Sequence, residues 1–166
     1  MIAFFTELSN RLDWDYRFQE YYDLEPFTVH TFHLSHQGVP IEIEYQFGKG
    51  DLAHFTCSFF SRTPLFSFTT CKKSHFWKLF HPRQSILQVR SPNVGFGRQI
   101  HDLLGKNGLL GLAEEHLFAP DMQGQASGQS YQLNTRFHLA FNRKEQSLEP
   151  MVSFYKDMID LYSLKK

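Results

Sequence analysis

The chain contains nine histidines, and imidazole is the commonest side-chain ligand for transition metals in proteins. His30, His33 and His36 recur at every third residue. On an extended strand, His33 would face away from the other two, and His30 would lie about 20 Å from His36. These side chains therefore cannot converge on one ion, and the sequence contains no H-E-x-x-H motif and no Cys/His cluster. We predict no metal site and no cofactor.

A second group of residues could provide a general acid and a general base. His101 and Asp102 are adjacent, and Glu114, Glu115 and His116 follow within one short segment. Neighbouring residues of one helix point about 100° apart, so His101 and Asp102 do not form a ready-made pair. No G-x-S-x-G motif supplies a nucleophile. A hydrolase or transferase that uses these residues is one hypothesis, and solvent-exposed helix residues are the simpler interpretation.

Two glycines and an arginine at the start of a predicted helix suggest an anion site. Gly95, Gly97 and Arg98 follow a predicted strand, and backbone N–H groups at a helix start can bind phosphate. The third glycine of the dinucleotide-binding motif is replaced by Ile100, and the surrounding pattern is antiparallel. The alternative is a glycine-rich helix start that packs closely on a sheet.

Two further surfaces are candidates for binding. Gln132, Asn134, Arg136 and His138 form a polar row on one predicted strand, which indicates either a solvated sheet face or a docking surface for a ligand or partner.

Aromatic residues make up 16% of the chain, so some of them could exceed what one core can bury and form an exposed patch. Trp14, Tyr16, Tyr21 and Tyr22 are the candidates for an exposed interaction surface, because Trp and Tyr are favoured at protein interfaces.

Composition excludes several classes of protein. The 17 basic and 17 acidic residues give zero formal net charge, which argues against a nucleic-acid partner. The sequence has no run of 18 apolar residues and no signal-peptide pattern at its start, so we predict no membrane span and a cytoplasmic location. Two cysteines without a metal-type spacing indicate free thiols.

The elements that would position these residues are organised around a meander of four strands. Apolar and polar residues alternate over 41–47, and the same alternation resumes after a glycine-rich turn. This pattern predicts that Ile43 lies opposite Phe55 and Tyr45 opposite Ala53, because a slip of one residue would bury polar groups.

The fourth strand of the meander is predicted to pair with the third. A loop over 62–65 would set Phe59 opposite Phe68 and would direct Cys57 and Cys71 to opposite faces. We therefore predict no disulfide.

The remaining segments follow from hydrophobic spacing, capping residues and Gly or Pro breaks. Residues 14–24 fit a helix and a strand equally, and Ser147 is the predicted cap of the last helix. The other predicted segments are helices over 2–12, about 94–104, 108–117 and 148–163, a helical turn over 74–80, a strand over 27–34 that carries a bulge or is buried on both faces, strands over 86–90 and 131–141, and a loop or wide turn over 121–129.

Together these patterns predict one α+β domain over residues 1–166. Its antiparallel sheet has about six strands, namely the meander 27–72 plus strands near 85–90 and 129–142. N-terminal, middle and C-terminal helices pack on one face. The favoured function is a non-enzymatic binding domain for an unidentified protein partner or small molecule, and the alternatives are a carrier of an apolar molecule in a cavity between sheet and helices and the enzyme described above. Oligomeric state does not follow from these patterns.

Overall fold

The computed structural model describes residues 2–22, 25–48, 50–82, 84–115, 118–139 and 144–164. Its helices are α1 (Ile2–Leu12), α2 (Val94–Lys106), α3 (Leu109–Glu115) and α4 (Leu148–Tyr162), with short 3-10 helices at His75–Leu79 and Lys144–Ser147. Its strands are β1 (Asp15–Tyr21), β2 (Phe27–His36), β3 (Val39–Phe47), β4 (Leu52–Phe60), β5 (Phe68–Lys72), β6 (Leu87–Arg90), β7 (Asp121–Ser127) and β8 (Ser130–His138).

All eight strands form one antiparallel sheet in the order β1-β2-β3-β4-β8-β7-β5-β6. The predicted α+β class is confirmed, but the prediction of about six strands is wrong. The ambiguous segment 14–24 contains β1, and the predicted loop 121–129 is largely β7. The last part of the predicted strand 129–142, from residue 140 onward, lies outside the described residues.

The predicted loop 121–129 was wrong because small and polar residues can also serve an interior strand. Gly124 lies opposite Phe68 in the ladder. A Cβ atom at residue 124 would lie 2.4 Å from Phe68 Cε1 and 2.1 Å from the Tyr131 hydroxyl. The glycine therefore leaves room for two large rings of the core.

The register of the first hairpins follows the alternation of apolar residues. Ile43 pairs with Phe55 and Tyr45 with Ala53, as predicted. In β2 the pairing with β3 is continuous from Thr28 to His36, so the predicted bulge is absent there.

The predicted pairing of the third and fourth meander strands is wrong. Phe59 lies opposite Tyr131 of β8, which occupies the place next to β4 that was predicted for β5. Phe68 pairs instead with β7. Both Cys57 and Cys71 are free thiols, although the register from which this was predicted does not exist. Strand β8 displaces β5 because it offers a ladder along the whole length of β4.

One face of the sheet forms the core together with the helices, as predicted. Helices α1, α2 and α4 contribute buried side chains to the same hydrophobic cluster. The inward-facing strand residues include Phe32, Leu34, Ile41, Ile43, Tyr45, Ala53, Phe55, Cys57, Tyr131, Leu133 and Phe137. The opposite face carries charged and polar residues, including Glu42, Glu44, His54, Gln132 and Arg136.

Helix α4 is tied to the sheet by buried hydroxyl groups. The Tyr155 hydroxyl lies 2.9 Å from both the Phe55 carbonyl oxygen and Thr135 Oγ1. Ser147 does not cap this helix with its side chain. Its hydroxyl instead lies 3.3 Å from the buried Tyr45 hydroxyl, so its role is to satisfy a polar group of the core.

The β5–β6 end of the sheet is attached partly by side chains. Only Phe68 and Thr69 of β5 pair with β7. Beyond them, the buried Thr70 hydroxyl donates to the Pro120 carbonyl oxygen at 2.6 Å and accepts from the Met122 N–H at 2.9 Å. These bonds extend the connection where the backbone ladder stops.

Lys72 continues the same connection to the helices. Its ammonium group donates to the carbonyl oxygens of Ala113 at 3.0 Å and Phe118 at 2.9 Å. Burial lowers the pKa of this lysine. Across the described ranges, no helix has both the length and the apolar composition needed to cross a bilayer.

Candidate functional site

Strand β6 lies at one end of the sheet and pairs only with β5. Hydrogen-bonded and non-hydrogen-bonded pairs alternate along an antiparallel ladder. The Lys73 N–H donates to the Ile86 carbonyl oxygen at 2.7 Å, which sets the phase of this alternation. Gln88 and Arg90 are therefore the residues of β6 that exchange backbone hydrogen bonds with β5.

The intervening residues of β6 direct their backbone groups away from the sheet. The Leu87 N–H donates to Ser85 Oγ at 3.2 Å, so this outward donor is used within the chain. Val89 directs its N–H and C=O outward in the same way and lines a surface groove. Strand β6 thus offers a free edge centred on Val89.

Helix α2 forms the other wall of this groove. Asn93 caps the helix by accepting a hydrogen bond from the Phe96 N–H at 2.9 Å. Gly97 is buried, and a Cβ atom there would lie 3.4 Å from Ser91 Cβ. This close approach holds the start of the helix against the end of β6. The wall facing the groove presents Val94, Arg98 and His101.

The groove has a volume of about 570 Å³. Strand β6 and the segment before it supply one side, and helix α2 supplies the other. Its lining residues are Gln84, Ser85, Gln88, Val89, Arg90, Ser91, Val94, Gly97, Arg98 and His101. The lining contains two arginines and no carboxylate, so the groove has positive charge.

The guanidinium groups of the two groove arginines make no hydrogen bond or ion pair within the described residues. Elsewhere, Arg11 pairs with Glu149, Arg17 pairs with Asp15, and Arg62 donates to a backbone carbonyl oxygen. Within the same described ranges, Arg136 is the only other arginine without such a partner. Arg90 and Arg98 therefore keep their guanidinium groups available to a ligand.

A second groove of about 360 Å³ continues from the first. Gln84, Ser85 and His101 line both grooves. The remaining lining residues of the second groove are Pro82, Leu110, Gly111 and Glu114. Glu114 adds an acidic group at this end, and among the described lining residues the arginines lie at the other end, at Arg90 and Arg98.

An exposed apolar cluster precedes the second groove in the chain. Phe76, Leu79 and Phe80 are 67%, 73% and 69% exposed, and the rings of Phe76 and Phe80 meet edge to face at 5.5 Å. Phe80 is two residues from Pro82, so their Cα atoms lie within about 7 Å. Large apolar side chains with this exposure are typical of a contact surface.

The predicted acid and base residues are partly brought together. His101 and Glu114 line the same groove, together with Ser85. No hydrogen bond joins His101 to either of them, and Asp102 is exposed outside both grooves. His116 lies outside the described residues. The geometry lacks the hydrogen bond between nucleophile and base that acyl transfer uses.

Of the predicted anion site, Gly97 and Arg98 line the first groove, and Gly95 is exposed and is not part of the lining. Asn93 accepts hydrogen bonds from the N–H groups of both Phe96 and Gly97, the latter at 2.9 Å through its backbone oxygen. These two donors are therefore already used, and Arg98 is the charged side chain of the predicted site that lines the groove. Gly97 fits the alternative prediction of close packing.

The predicted polar row lies on the open face of the sheet. Gln132, Arg136 and His138 are exposed there, and Asn134 is half-buried. Arg136 lines a groove of about 280 Å³ with Glu44 and His54, whose cross-strand positions place one acidic and one imidazole group nearby. The row is spread along β8 and does not converge on one point.

The four aromatic residues predicted to form an interaction surface divide into two groups. Trp14 and Tyr16 are half-buried, and their rings pack on Phe32 at 6.2 and 5.0 Å. Tyr21 and Tyr22 are exposed, and their hydroxyl groups donate to side chains of their own strand or its extension. Only the second group remains available as a surface.

A third groove lies beside α1, at the opposite end of the sheet. Its volume is about 700 Å³, and Ile2, Ala3, Phe47 and the buried His30 form part of its lining. Tyr16 Oη lies 2.8 Å from His30 Nδ1, and burial lowers the pKa of His30 to about 4. This groove is the place where an apolar molecule of the carrier hypothesis would bind.

Metal binding has no geometric support in the part of the chain that the structure describes. No three His, Cys, Asp or Glu side chains are grouped there so that they could hold an ion. His33 and Glu42 are cross-strand neighbours on the open face, but a pair is too few for a metal site.

Sequence reasoning missed the main features of the β6 groove. Arg90 and Val89 are part of a short strand, and nothing in the residues of that strand shows that it lies at the sheet edge. The apolar residues Phe76, Leu79 and Phe80 were a detectable signal, because three large apolar residues in a short turn exceed what one helical turn can bury.

Comparisons with models of protein families, with curated proteins and with solved structures find no match to this chain.

Proposed function

We propose that this chain is a protein-interaction domain that binds an extended peptide segment of a partner protein by strand addition at β6. The observation that supports this proposal is the free edge around Val89, which forms one wall of a groove whose other wall is helix α2. Strand addition needs exposed backbone groups for affinity and adjacent side-chain contacts for specificity. Both are present in this groove.

The length of β6 sets how much the backbone can contribute. The strand has four residues, and alternation leaves Val89 and the carbonyl of Leu87 directed outward. Two or three backbone hydrogen bonds contribute about 1 kcal/mol each. Side-chain contacts with the groove must therefore provide much of the binding free energy.

The proposal is tested by selecting binders from a displayed library of random peptides and measuring their affinity for two variants. Val89→Pro removes the outward N–H and leaves the ladder bonds of Gln88 and Arg90 to β5 in place. We expect selected peptides to lose about 5-fold or more in affinity for this variant, because one backbone hydrogen bond is removed. Val89→Ile keeps the N–H and is the matched control, with affinity close to wild type.

Chemical changes in the peptide backbone test the same hydrogen bonds between the peptide and β6. N-methylation of alternate peptide residues should abolish binding in one register and leave it intact in the other, since only alternate N–H groups face β6. If no peptide is selected, or if Val89→Pro binds as well as Val89→Ile, strand addition is wrong. A dimer that Val89→Pro disrupts would assign the edge to a second copy of this chain and would also contradict the proposal.

A cytoplasmic location is part of this proposal. Its support is that Cys57 and Cys71 are both free thiols, which is usual in a reducing compartment. Measurement of the thiol state in protein extracted under alkylating conditions tests it, and thiols blocked by oxidation in the cell would contradict it.

A hydrolase is a second candidate, favoured by the presence of Ser85, His101 and Glu114 in one groove. Binding of a substrate would have to bring these groups into hydrogen-bond contact. A screen of ester and peptide substrates against wild type and His101→Ala tests it, and hydrolysis equal in the two proteins would exclude a role for His101.

A further inference from the structure

Charge in the β6 groove indicates what kind of peptide binds there, if strand addition is correct. We infer that the partner segment is anionic, with an acidic side chain that binds Arg90 and Arg98 and a large apolar residue that contacts the cluster of Phe76, Leu79 and Phe80. This inference rests on the proposed function and adds the chemistry of the partner to it.

The arginines are the strongest argument for an anionic partner. Arg90 comes from β6 and Arg98 from α2, so the groove receives one guanidinium from each wall. Neither is neutralised by a carboxylate in the described residues, whereas Arg11 and Arg17 are. An arginine has five N–H donors in a planar arrangement that fits a carboxylate or phosphate with two parallel hydrogen bonds.

Helix α2 adds a weaker attraction at the same end of the groove. The helix has 13 residues, and its N-terminus carries partial positive charge. The amides of Phe96 and Gly97 are already bonded to Asn93, so these two amides do not donate to a ligand.

The two ends of the groove differ in a way that orders the partner's residues. The positive end lies at Arg90 and Arg98, and the second groove ends at Leu110 and Glu114 near the apolar cluster. An extended peptide rises about 3.3 Å per residue, so the distance from Arg90 back to residue 84 corresponds to about six residues. We therefore expect the acidic and apolar residues of the partner to be separated by about four to six positions.

The experiment uses the peptides selected on the full chain. The expected result is enrichment of Asp and Glu over Lys and Arg at one position, with an apolar residue four to six positions away. Replacing the acidic residue by Gln should weaken binding about 10-fold at moderate salt, and replacing it by Lys should weaken it further. A phosphoserine at the same position should bind at least as well as Glu if the natural ligand is phosphorylated, and less well if it is a carboxylate.

Variants of the domain separate this inference from strand addition itself. Arg90→Gln with Arg98→Gln should remove the preference for acidic over neutral peptides and weaken the salt dependence, while neutral peptides still bind. Arg136→Gln is the matched control, because it removes an unpaired arginine from the open face of the same sheet. Its preference should equal that of wild type.

Three results have distinct meanings. Peptides that need the Val89 N–H but show no acidic preference would leave strand addition standing and overturn the anionic partner. An acidic preference that survives the double arginine variant would also overturn it. Failure to select any peptide would overturn the proposed function and this inference with it.

Discussion

The two ends of the sheet are built by different means. At the β1 end, seven consecutive residue pairs join β1 to β2, and aromatic rings from α1 and the first strands fill the space beneath them. At the β6 end, only two residue pairs join β5 to β7. Side-chain hydrogen bonds of Thr70 and Lys72 provide further attachment there. Side chains at the first end are used for packing, whereas at the second end Phe76 is mostly exposed and Arg90 has no ion-pair partner in the described residues.

We interpret the β1 end as scaffold, and we propose that the β6 end binds the partner. Tyr16 forms a hydrogen bond with the buried His30, and Arg17 forms an ion pair with Asp15. These polar side chains of β1 therefore have partners within the protein. Arg90 and Arg98 have no such partners in the described residues, and Phe76 is mostly exposed. Mutations at the β1 end should therefore cost stability, and mutations at the β6 end should cost binding.

The largest effect on stability is expected from Phe5→Ala at the scaffold end. The Phe5 ring is fully buried, with its centroid 5.0 Å from that of His30 and 5.2 Å from that of Phe32. Its loss should lower the free energy of unfolding by about 3 to 5 kcal/mol, because a large cavity is left. Denaturant unfolding measures this change. Phe76→Ala is the matched control, and it should change the free energy of unfolding by less than about 0.5 kcal/mol.

Equal costs for Phe5→Ala and Phe76→Ala would remove the distinction between the two ends. A cost at Phe76 comparable to that of a core residue would show that the apolar cluster belongs to the fold and is not a binding surface.

His30 should make the scaffold end sensitive to acid. Its pKa is lowered from an ordinary value of about 6.5 to about 4, because burial disfavours the charged imidazole. The unfolded state binds its proton first, so the free energy of unfolding is highest above pH 6.5 and falls as the pH drops from 6.5 towards 4. The free energy of unfolding falls by at most about 3 kcal/mol over this range. Below pH 4, His30 causes no further change in the free energy of unfolding with pH.

An NMR titration of the folded protein measures this directly. The His30 ring signals should shift near pH 4. A midpoint near 6.5 would mean that the imidazole is solvated and that its contact with Tyr16 does not hold in solution.

A smaller loss of stability is expected from Thr70→Val, which tests the side-chain attachment of the β6 end. This change keeps the shape of residue 70 but leaves the Pro120 carbonyl oxygen and the Met122 N–H without their partner. The free energy of unfolding should fall by about 1 to 3 kcal/mol. Thr69→Val, on the neighbouring and more exposed position of β5, is the control and should be close to neutral.

Hydrogen exchange of the Thr70→Val protein adds a spatial test. Protection should fall at the amides of Gln88 and Arg90 and remain in β2 and β3. A uniform loss of protection across the sheet would contradict the view that this end is attached separately.

The sequence predicts the β1 end of the sheet better than the β6 end, for physical reasons. Alternation of apolar and polar residues over 41–47 determines a register by itself, since a slip buries charge. The order of strands depends on contacts between distant residues, so the insertion of β8 beside β4 could not be derived from local pattern. The open edge at Val89 is a consequence of the strand order. It could therefore not be predicted from local sequence pattern either.

Composition gave the wrong prediction for β7, because Gly124 is required by the packing of neighbouring residues and not by the strand that contains it. Gly124 lowers the strand propensity of β7, yet it is the residue that admits the Phe68 ring. The candidate residues Arg98 and His101 were identified from the sequence, but Arg90 and Ser85, which meet them in the groove, come from segments whose only visible role was structural.

Amide hydrogen exchange with and without a selected peptide is the most direct test of strand addition at β6. The account predicts that the Val89 amide becomes strongly protected when the peptide binds, with little change at the exposed edge of β1. Protection that appears along β1, or peptide binding that leaves the Val89 amide unchanged, would contradict it.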